Sequence, residues 1–236
     1  RLELLSMADS LDWIAEKPAR TFREAVQATY LYQLFLWIDG NYQPCSFGRF
    51  DQYTYPCLKR DLEAGTLTLE QAQEIVDCFW LKVGCLFNAR LRYTARVTGA
   101  YSTFQHLTLG GCDRNGEDAT NPITYMGLEA AARLQLHEPP VSLRVGRRTP
   151  DTLYACAIES SKRAGGVPCF QNEDLIIDTL VEGGYYSLED ARDFGIVGCQ
   201  EIGGAGNDYC ASQSTNSCAD INLANVILLS INDGVN

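Results

Sequence analysis

Apolar side chains recur at helical spacing through the first hundred residues and at strand spacing through much of the rest. From Thr21 to Ile38 an apolar-rich run predicts one long helix, with Thr21 as N-cap, Glu24 as its capping-box partner and Gly40 as the stop. Tyr30, Tyr32, Phe35 and Trp37 fall at helical spacing within it and are expected in the core. A loop over 39–48 follows, and Arg49-Phe50-Asp51-Gln52-Tyr53 leads into a helix ending at Gly65. Thr68-Leu69-Glu70-Gln71 then opens a helix to about Leu86, with Ala72, Ile75, Val76, Phe79, Trp80 and Val83 on one face.

After Tyr101 short strands and helices alternate. Phe104 to Leu109 reads as a strand ending in Gly110-Gly111, Thr124 to Leu136 as a helix, and Val141 to Val145 as an alternating strand. Thr149-Pro150-Asp151 starts a helix with Pro at its first position, and the helix stops at Gly165-Gly166. The strand Val167 to Phe170, a helix from Glu173 to Val181 and a turn of helix near Leu188 come next. The strand Phe194 to Val197 and a helix from about Ala219 to Ser230 complete the pattern. Strand–helix alternation predicts an α/β fold with parallel strands covered by helices.

Composition narrows the classes. The 236 residues are 46% hydrophobic and 21% charged, enough for one large core or two small ones. Thirty acidic against 19 basic side chains give a net charge of -11 with no basic stripe, which argues against nucleic acid as a partner. The apolar stretches are too short for a membrane span, and Arg1-Leu2-Glu3-Leu4-Leu5 is an amphipathic opening rather than a secretory leader. Ten cysteines lie at irregular spacings without a C-x-x-C pair, and only His106 and His137 supply imidazole. No metal site is expected, and reduced thiols in a cytoplasmic protein fit the pattern. The chain starts without Met inside a helical pattern and stops just after a helix, which reads as a piece of a larger protein.

The candidate chemistry sits at Phe194-Gly195-Ile196-Val197-Gly198-Cys199-Gln200-Glu201, an apolar run ending in a thiol and a carboxylate. A buried strand would deliver Cys199 and Glu201 together into the interior. C-x-E spacing alone equally admits a structural cysteine beside a surface carboxylate. The glycine-rich loop from Ile202 to Asp208 lets the backbone approach a ligand. Hydrolytic cysteine chemistry needs a histidine base, and both histidines are far away in sequence. A radical role needs no base on sulfur, because S–H and activated C–H bonds are of similar strength, and a nearby carboxylate can carry the substrate's proton. Arg49 and Asp51 read as a structural ion pair, and His106 as a core or interior-lining residue. Gly110-Gly111 carries no nucleotide-binding fingerprint.

Several ordered segments resemble the glycyl radical enzymes. They are Ser46-Phe47-Gly48-Arg49-Phe50-Asp51-Gln52-Tyr53, then Leu107-Thr108-Leu109-Gly110-Gly111 with Asp113, Gly116, Asp118, Ala119, Thr120 and Asn121. The third is Ser187-Leu188-Glu189-Asp190-Ala191-Arg192-Asp193 running into Ile196-Val197-Gly198-Cys199-Gln200-Glu201. The resemblance covers essentially the whole chain. It implies that residues 1–236 are the central part of a pyruvate formate-lyase-like catalytic domain, about half of a ten-stranded α/β barrel with flanking helices. By the same resemblance Cys199 is the thiyl radical site and Glu201 the acid/base. Ser46, Cys45, His106 and Gln213 are the candidate substrate contacts.

A single cysteine followed by Gln200 looks like the dehydratase, lyase and decarboxylase branches, whereas formate-lyase proper has adjacent cysteines. Cys45 stands where diol dehydratases have histidine, Ser212 and Gln213 where they have a substrate-binding aspartate, and Ile202 where proline is usual. The implied reaction is elimination or decarboxylation of a small organic substrate. Acyl transfer and a non-catalytic remnant are the alternatives. No cofactor is expected on this chain. The radical glycine is implied on a C-terminal segment absent from the sequence, installed by an S-adenosylmethionine iron–sulfur activating enzyme, in a protein that is a homodimer when full length. Arg96-Val97-Thr98-Gly99-Ala100-Tyr101 is only superficially like the radical glycine motif and reads as a turn. The isolated piece is expected to be inactive.

Overall fold

The computed structural model describes residues 1–39, 46–86, 92, 105–204, 223–232 and 234. The described elements run α1 (Leu2–Ile14), α2 (Phe22–Asp39), β1 (Gly48–Arg49), α3 (Phe50–Glu63), α4 (Leu69–Gly84) and β2 (Leu107–Gly110). They continue with α5 (Pro122–Leu134), β3 (Val141–Val145), α6 (Asp151–Arg163), β4 (Cys169–Asn172) and α7 (Glu173–Glu182). The last are α8 (Leu188–Ala191), β5 (Phe194–Val197), β6 (Glu201–Gly204) and α9 (Leu223–Ile231).

Strands β1 to β4 form one parallel sheet in sequence order. The alternation in β2 and β3 assigns its two faces. Leu107, Leu109, Val141 and Leu143 point into the main core, where they meet Phe50 and Leu58 of α3, Val76, Phe79 and Trp80 of α4, Ile123 and Leu128 of α5, and Leu153 of α6. Phe50 stacks on Phe79 with ring centroids 4.8 Å apart. The opposite face carries Thr108, Ser142 and Arg144, all fully buried. Strand β5, which pairs antiparallel with β6, lies against that face: Thr108 Oγ1 accepts from the Ile196 amide at 2.8 Å. Around β2 and β3 both faces are therefore closed, the arrangement expected of parallel sheets, whereas β4 alternates half-buried and exposed residues.

Local signals explain the helix starts. Thr68 and Gln71 form a reciprocal capping box for α4, and Asn121 and Thr124 do the same for α5, with Pro122 just inside. The expected box at Thr21 is only half formed. Thr21 Oγ1 accepts from the Glu24 amide at 3.2 Å, but Glu24 turns to the Arg20 amide and guanidinium, and Asp61 takes the Phe22 amide at 2.7 Å. Pro150 is the N-cap of α6, one position earlier than its expected place.

Other expectations shift. The stretch from Ile202 to Gly204, expected as loop, belongs to strand β6, because pairing with β5 satisfies backbone groups that would otherwise face the interior. Tyr30 packs on the core, whereas Tyr32 and Phe35 are exposed. The stop at Gly40 and the turn 96–101 lie outside the described residues. Gly110 and Gly111 serve packing: a Cβ on Gly111 would lie 2.4 Å from Glu173 Oε2 and 2.5 Å from Arg144 Nε.

Candidate active site

The Cys199 loop is the three-residue connection of the β5–β6 hairpin, since Val197 pairs with Glu201 across the turn. Gly198 enters it at φ +58°, a conformation costly for a residue with a Cβ. The strand leading to the thiol is buried, as the sequence predicts, with Phe194 and Ile196 at most 1% exposed. At its tip Cys199 and Glu201 are exposed among the described residues.

Glu201 Oε2 accepts from the Cys199 amide at 2.8 Å and from the Gln200 amide at 3.0 Å. The carboxylate is thus folded back over the turn that bears the thiol, satisfying two donors that the hairpin leaves unpaired. Cys199 takes part in no disulfide.

Two expected substrate contacts hold the same turn. Ser46 Oγ accepts from the Gly198 amide at 2.8 Å, and His106 Nδ1 donates to the Gly198 carbonyl at 3.0 Å. His106 is 1% exposed, and burial pushes its pKa below the usual imidazole value, opposed by its bond to Gly198 and by the Glu201 charge. The structure thus brings Cys199, Glu201, Ser46 and His106 together around Gly198. Cys45 and Gln213 lie outside the described residues.

Sequence reasoning did not single out Ser142, Gln171, Cys169 and Arg144. Ser142 Oγ lies 2.8 Å from His106 Nε2, and Gln171 Nε2 donates to Ser142 Oγ at 3.2 Å and to Gln200 Oε1 at 2.5 Å. Cys169 Sγ donates to the same Gln200 oxygen at 3.5 Å. Arg144 anchors the base of the hairpin, donating to the Phe194 and Arg192 carbonyls at 2.9 and 2.7 Å, with its guanidinium 4.0 Å from the Phe194 ring. Glu173 pairs with it at 2.8 Å. Burial and the Arg49 charge push the Arg144 pKa down to about 10, so it stays cationic at neutral pH. The only signal for these residues was strand alternation, which gives a side chain's face and not its partner.

The expected Arg49–Asp51 pair does not form. Arg49 bonds Asp193 at 2.7 Å and the Gly110 and Cys112 carbonyls, whereas Asp51 Oδ2 accepts from the Gly110 amide and the Thr124 hydroxyl. A cavity of about 580 Å³ runs beside β5, lined by Ser46, Arg49, Gln52, Tyr53, Asp193 and Ile196 among others. A larger groove of about 930 Å³ between α4, α5 and α6 holds none of the candidate residues.

The arrangement can present a thiol and a carboxylate side by side on a braced turn. The pyruvate formate lyase-like family model matches residues 1–236. The chain is 35% identical over 241 residues to the probable dehydratase YbiW of Escherichia coli, covering 99% of this chain and 29% of that protein. It is 32% identical over 239 residues to isethionate sulfite-lyase of Bilophila wadsworthia, covering 99% and 28% respectively. A solved structure concerned with 1,2-propanediol dehydration in Roseburia inulinivorans superposes with a TM-score of 0.82 at 37% identity, covering 86% of this chain and 25% of that one. The chain spans less than a third of the length of these relatives.

Proposed function

Because the chain belongs to the pyruvate formate lyase-like family of glycyl radical enzymes, we propose that it forms the central part of a catalytic domain in which Cys199 is the thiyl radical site. The reaction is elimination, of the dehydratase or lyase type, or decarboxylation, on a small organic substrate. The single observation that carries this reading is the Glu201 carboxylate held 2.8 Å from the Cys199 amide, so that thiol and acid/base share one turn. A parallel sheet of four strands covered by helices supports reading the chain as part, about half, of a ten-stranded α/β barrel. Acyl transfer is disfavoured, since Gln200 rather than a second cysteine follows Cys199.

Cys199 fits the role of radical acceptor: it is an exposed thiol outside any disulfide at the end of a buried strand. A glycyl radical on a segment outside this sequence, installed by an S-adenosylmethionine iron–sulfur activating enzyme, would take the hydrogen atom of the Cys199 thiol, a C–H bond forming as the S–H bond breaks, and leave Cys199 as the thiyl radical. The sulfur takes a hydrogen atom from a substrate carbon bearing a hydroxyl, so an S–H bond forms as the C–H bond breaks. The carbon radical makes its hydroxyl far more acidic, and Glu201 accepts that proton. The protonated carboxyl then gives its proton to the group that leaves the next carbon with the bonding electron pair. The product radical regains a hydrogen atom from the Cys199 thiol, which restores the sulfur radical. Ser46 and His106, held against Gly198, border the substrate space, with Cys45 and Gln213 as further contacts. The parent protein acts as a cytoplasmic homodimer, in a compartment whose reducing conditions disfavour disulfides.

Glu201→Gln in the full-length, activated protein tests the assignment. Glutamine keeps an oxygen for the Cys199 and Gln200 amides but cannot exchange a proton, so the turn survives. Turnover is expected to fall by about 10²–10⁴-fold, the usual worth of general acid–base help. Hydrogen–deuterium exchange at the abstracted position should partly persist, because the sulfur is untouched. Near-wild-type turnover would reduce Glu201 to a turn cap.

A further inference from the structure

Beside Cys199 and Glu201 runs a line of polar side chains, His106, Ser142, Gln171 and Gln200, of which the proposed chemistry uses only His106, as a border of the substrate space. His106 immediately precedes β2, Ser142 lies on β3, Gln171 on β4, and Gln200 in the hairpin turn. The Gly198 carbonyl can only accept, so His106 Nδ1 carries the proton of that 3.0 Å bond. Nε2 is then an acceptor and takes the Ser142 hydroxyl at 2.8 Å. Having given its one proton away, Ser142 Oγ accepts from Gln171 Nε2 at 3.2 Å. The second Gln171 N–H goes to Gln200 Oε1 at 2.5 Å. One assignment of protons satisfies all four bonds, and it requires a neutral imidazole. Burial of His106, which disfavours the imidazolium, agrees with it.

The two ends of this line grip Gly198 and Gln200, the residues on either side of Cys199. We propose that His106, Ser142, Gln171 and Gln200 are positioning residues that act as one clamp, setting where the Cys199 thiol sits from both sides of the turn. This rests on reading Cys199 as the reactive thiol. The clamp works through Gln171, which donates in both directions. Releasing Gln200 or removing the Ser142 hydroxyl therefore disturbs the same side chain. Ser142 and Gln200 share no bond of their own; they are linked directly through Gln171, which also touches Cys169 Sγ at 3.6 Å, and at the other end through His106, Gly198 and the turn itself. Side chains in one hydrogen-bond network give non-additive effects, while independent sites add.

The test is the rate of Cys199 alkylation by iodoacetamide, followed by peptide mass spectrometry, in the full-length protein without radical activation. Ser142→Ala, Gln200→Ala and the double variant are compared, with exposed Cys78 as the internal reference. Each single change is expected to raise the Cys199 rate about three- to tenfold, the effect of one lost hydrogen bond, with Cys78 unchanged. The double variant should fall well short of the product of the two singles. Unchanged Cys199 rates, a double variant equal to the product, or a parallel rise at Cys78 would each overturn the clamp. The assay uses neither radical nor substrate, so its outcome is separate from that of the catalytic reading.

Discussion

Asp51 is fully buried, with two donors on one carboxylate oxygen and none on the other among the described residues. Burial pushes its pKa up, against the Thr124 and Gly110 bonds and the Arg49 charge. A carboxylate whose folded pKa is raised favours folding fully below its unfolded value of about 3.9, and loses that contribution as pH rises through the folded value. Asp51→Asn removes the titration and keeps an oxygen for the two donors. The variant should therefore gain in melting temperature relative to wild type between pH 4 and pH 7; an equal difference at both would contradict the assignment. Asp51→Ala should cost more, because it leaves the Gly110 amide and the Thr124 hydroxyl unpaired at about 1–3 kcal/mol each. The sequence showed that Asp51 is special but offered Arg49 as its partner, since nearness in sequence was the only guide. Cys199 and Glu201 were legible because two residues span their whole relationship. Ser142 and Gln171 were not: their partners lie on other strands, and strand alternation alone leaves a polar face looking solvent-exposed.

At the scale of elements, the parallel sheet was readable from alternation of strands and helices, and strand β5 emerged with its bounds intact. Strand β6 was missed because Ile202-Gly203-Gly204 has loop composition, and only pairing with β5 makes it a strand. Helix α1 shows the converse. Its pattern is amphipathic, yet no residue of α1 is buried among the described residues, so the pattern named a face without naming its partner. The hairpin that carries the thiol is fastened at its base by Arg144, fully buried and paired with Glu173. Arg144→Met would leave the Glu173 carboxylate without its cation and the Phe194 and Arg192 carbonyls without donors. Breaking one side of such a pair costs about 3–5 kcal/mol. Amide hydrogen exchange should speed up over 194–204 well beyond any change in β2 and β3, and Arg144→Met with Glu173→Leu should recover part of the loss. Uniform acceleration across both regions would deny Arg144 this local role.

At the scale of the whole molecule, the chain contributes less than a third of the length of its relatives. Apolar side chains such as Leu2 at 83%, Ile227 at 60% and Ile231 at 71% exposure mark surfaces that its described residues do not cover. No helix among those residues is long and apolar enough to cross a membrane. The sheet, the hairpin and the braced turn all converge on one sulfur, so the central claim is that Cys199 carries the radical chemistry. Cys199→Ser in the full-length protein, treated with the activating enzyme proposed for it, measures this most directly. An O–H bond is too strong for a stored carbon radical to break at a useful rate, whereas serine preserves the shape of the turn. The account predicts a normal glycyl radical signal by electron paramagnetic resonance together with loss of turnover. A normal signal with turnover retained would contradict it.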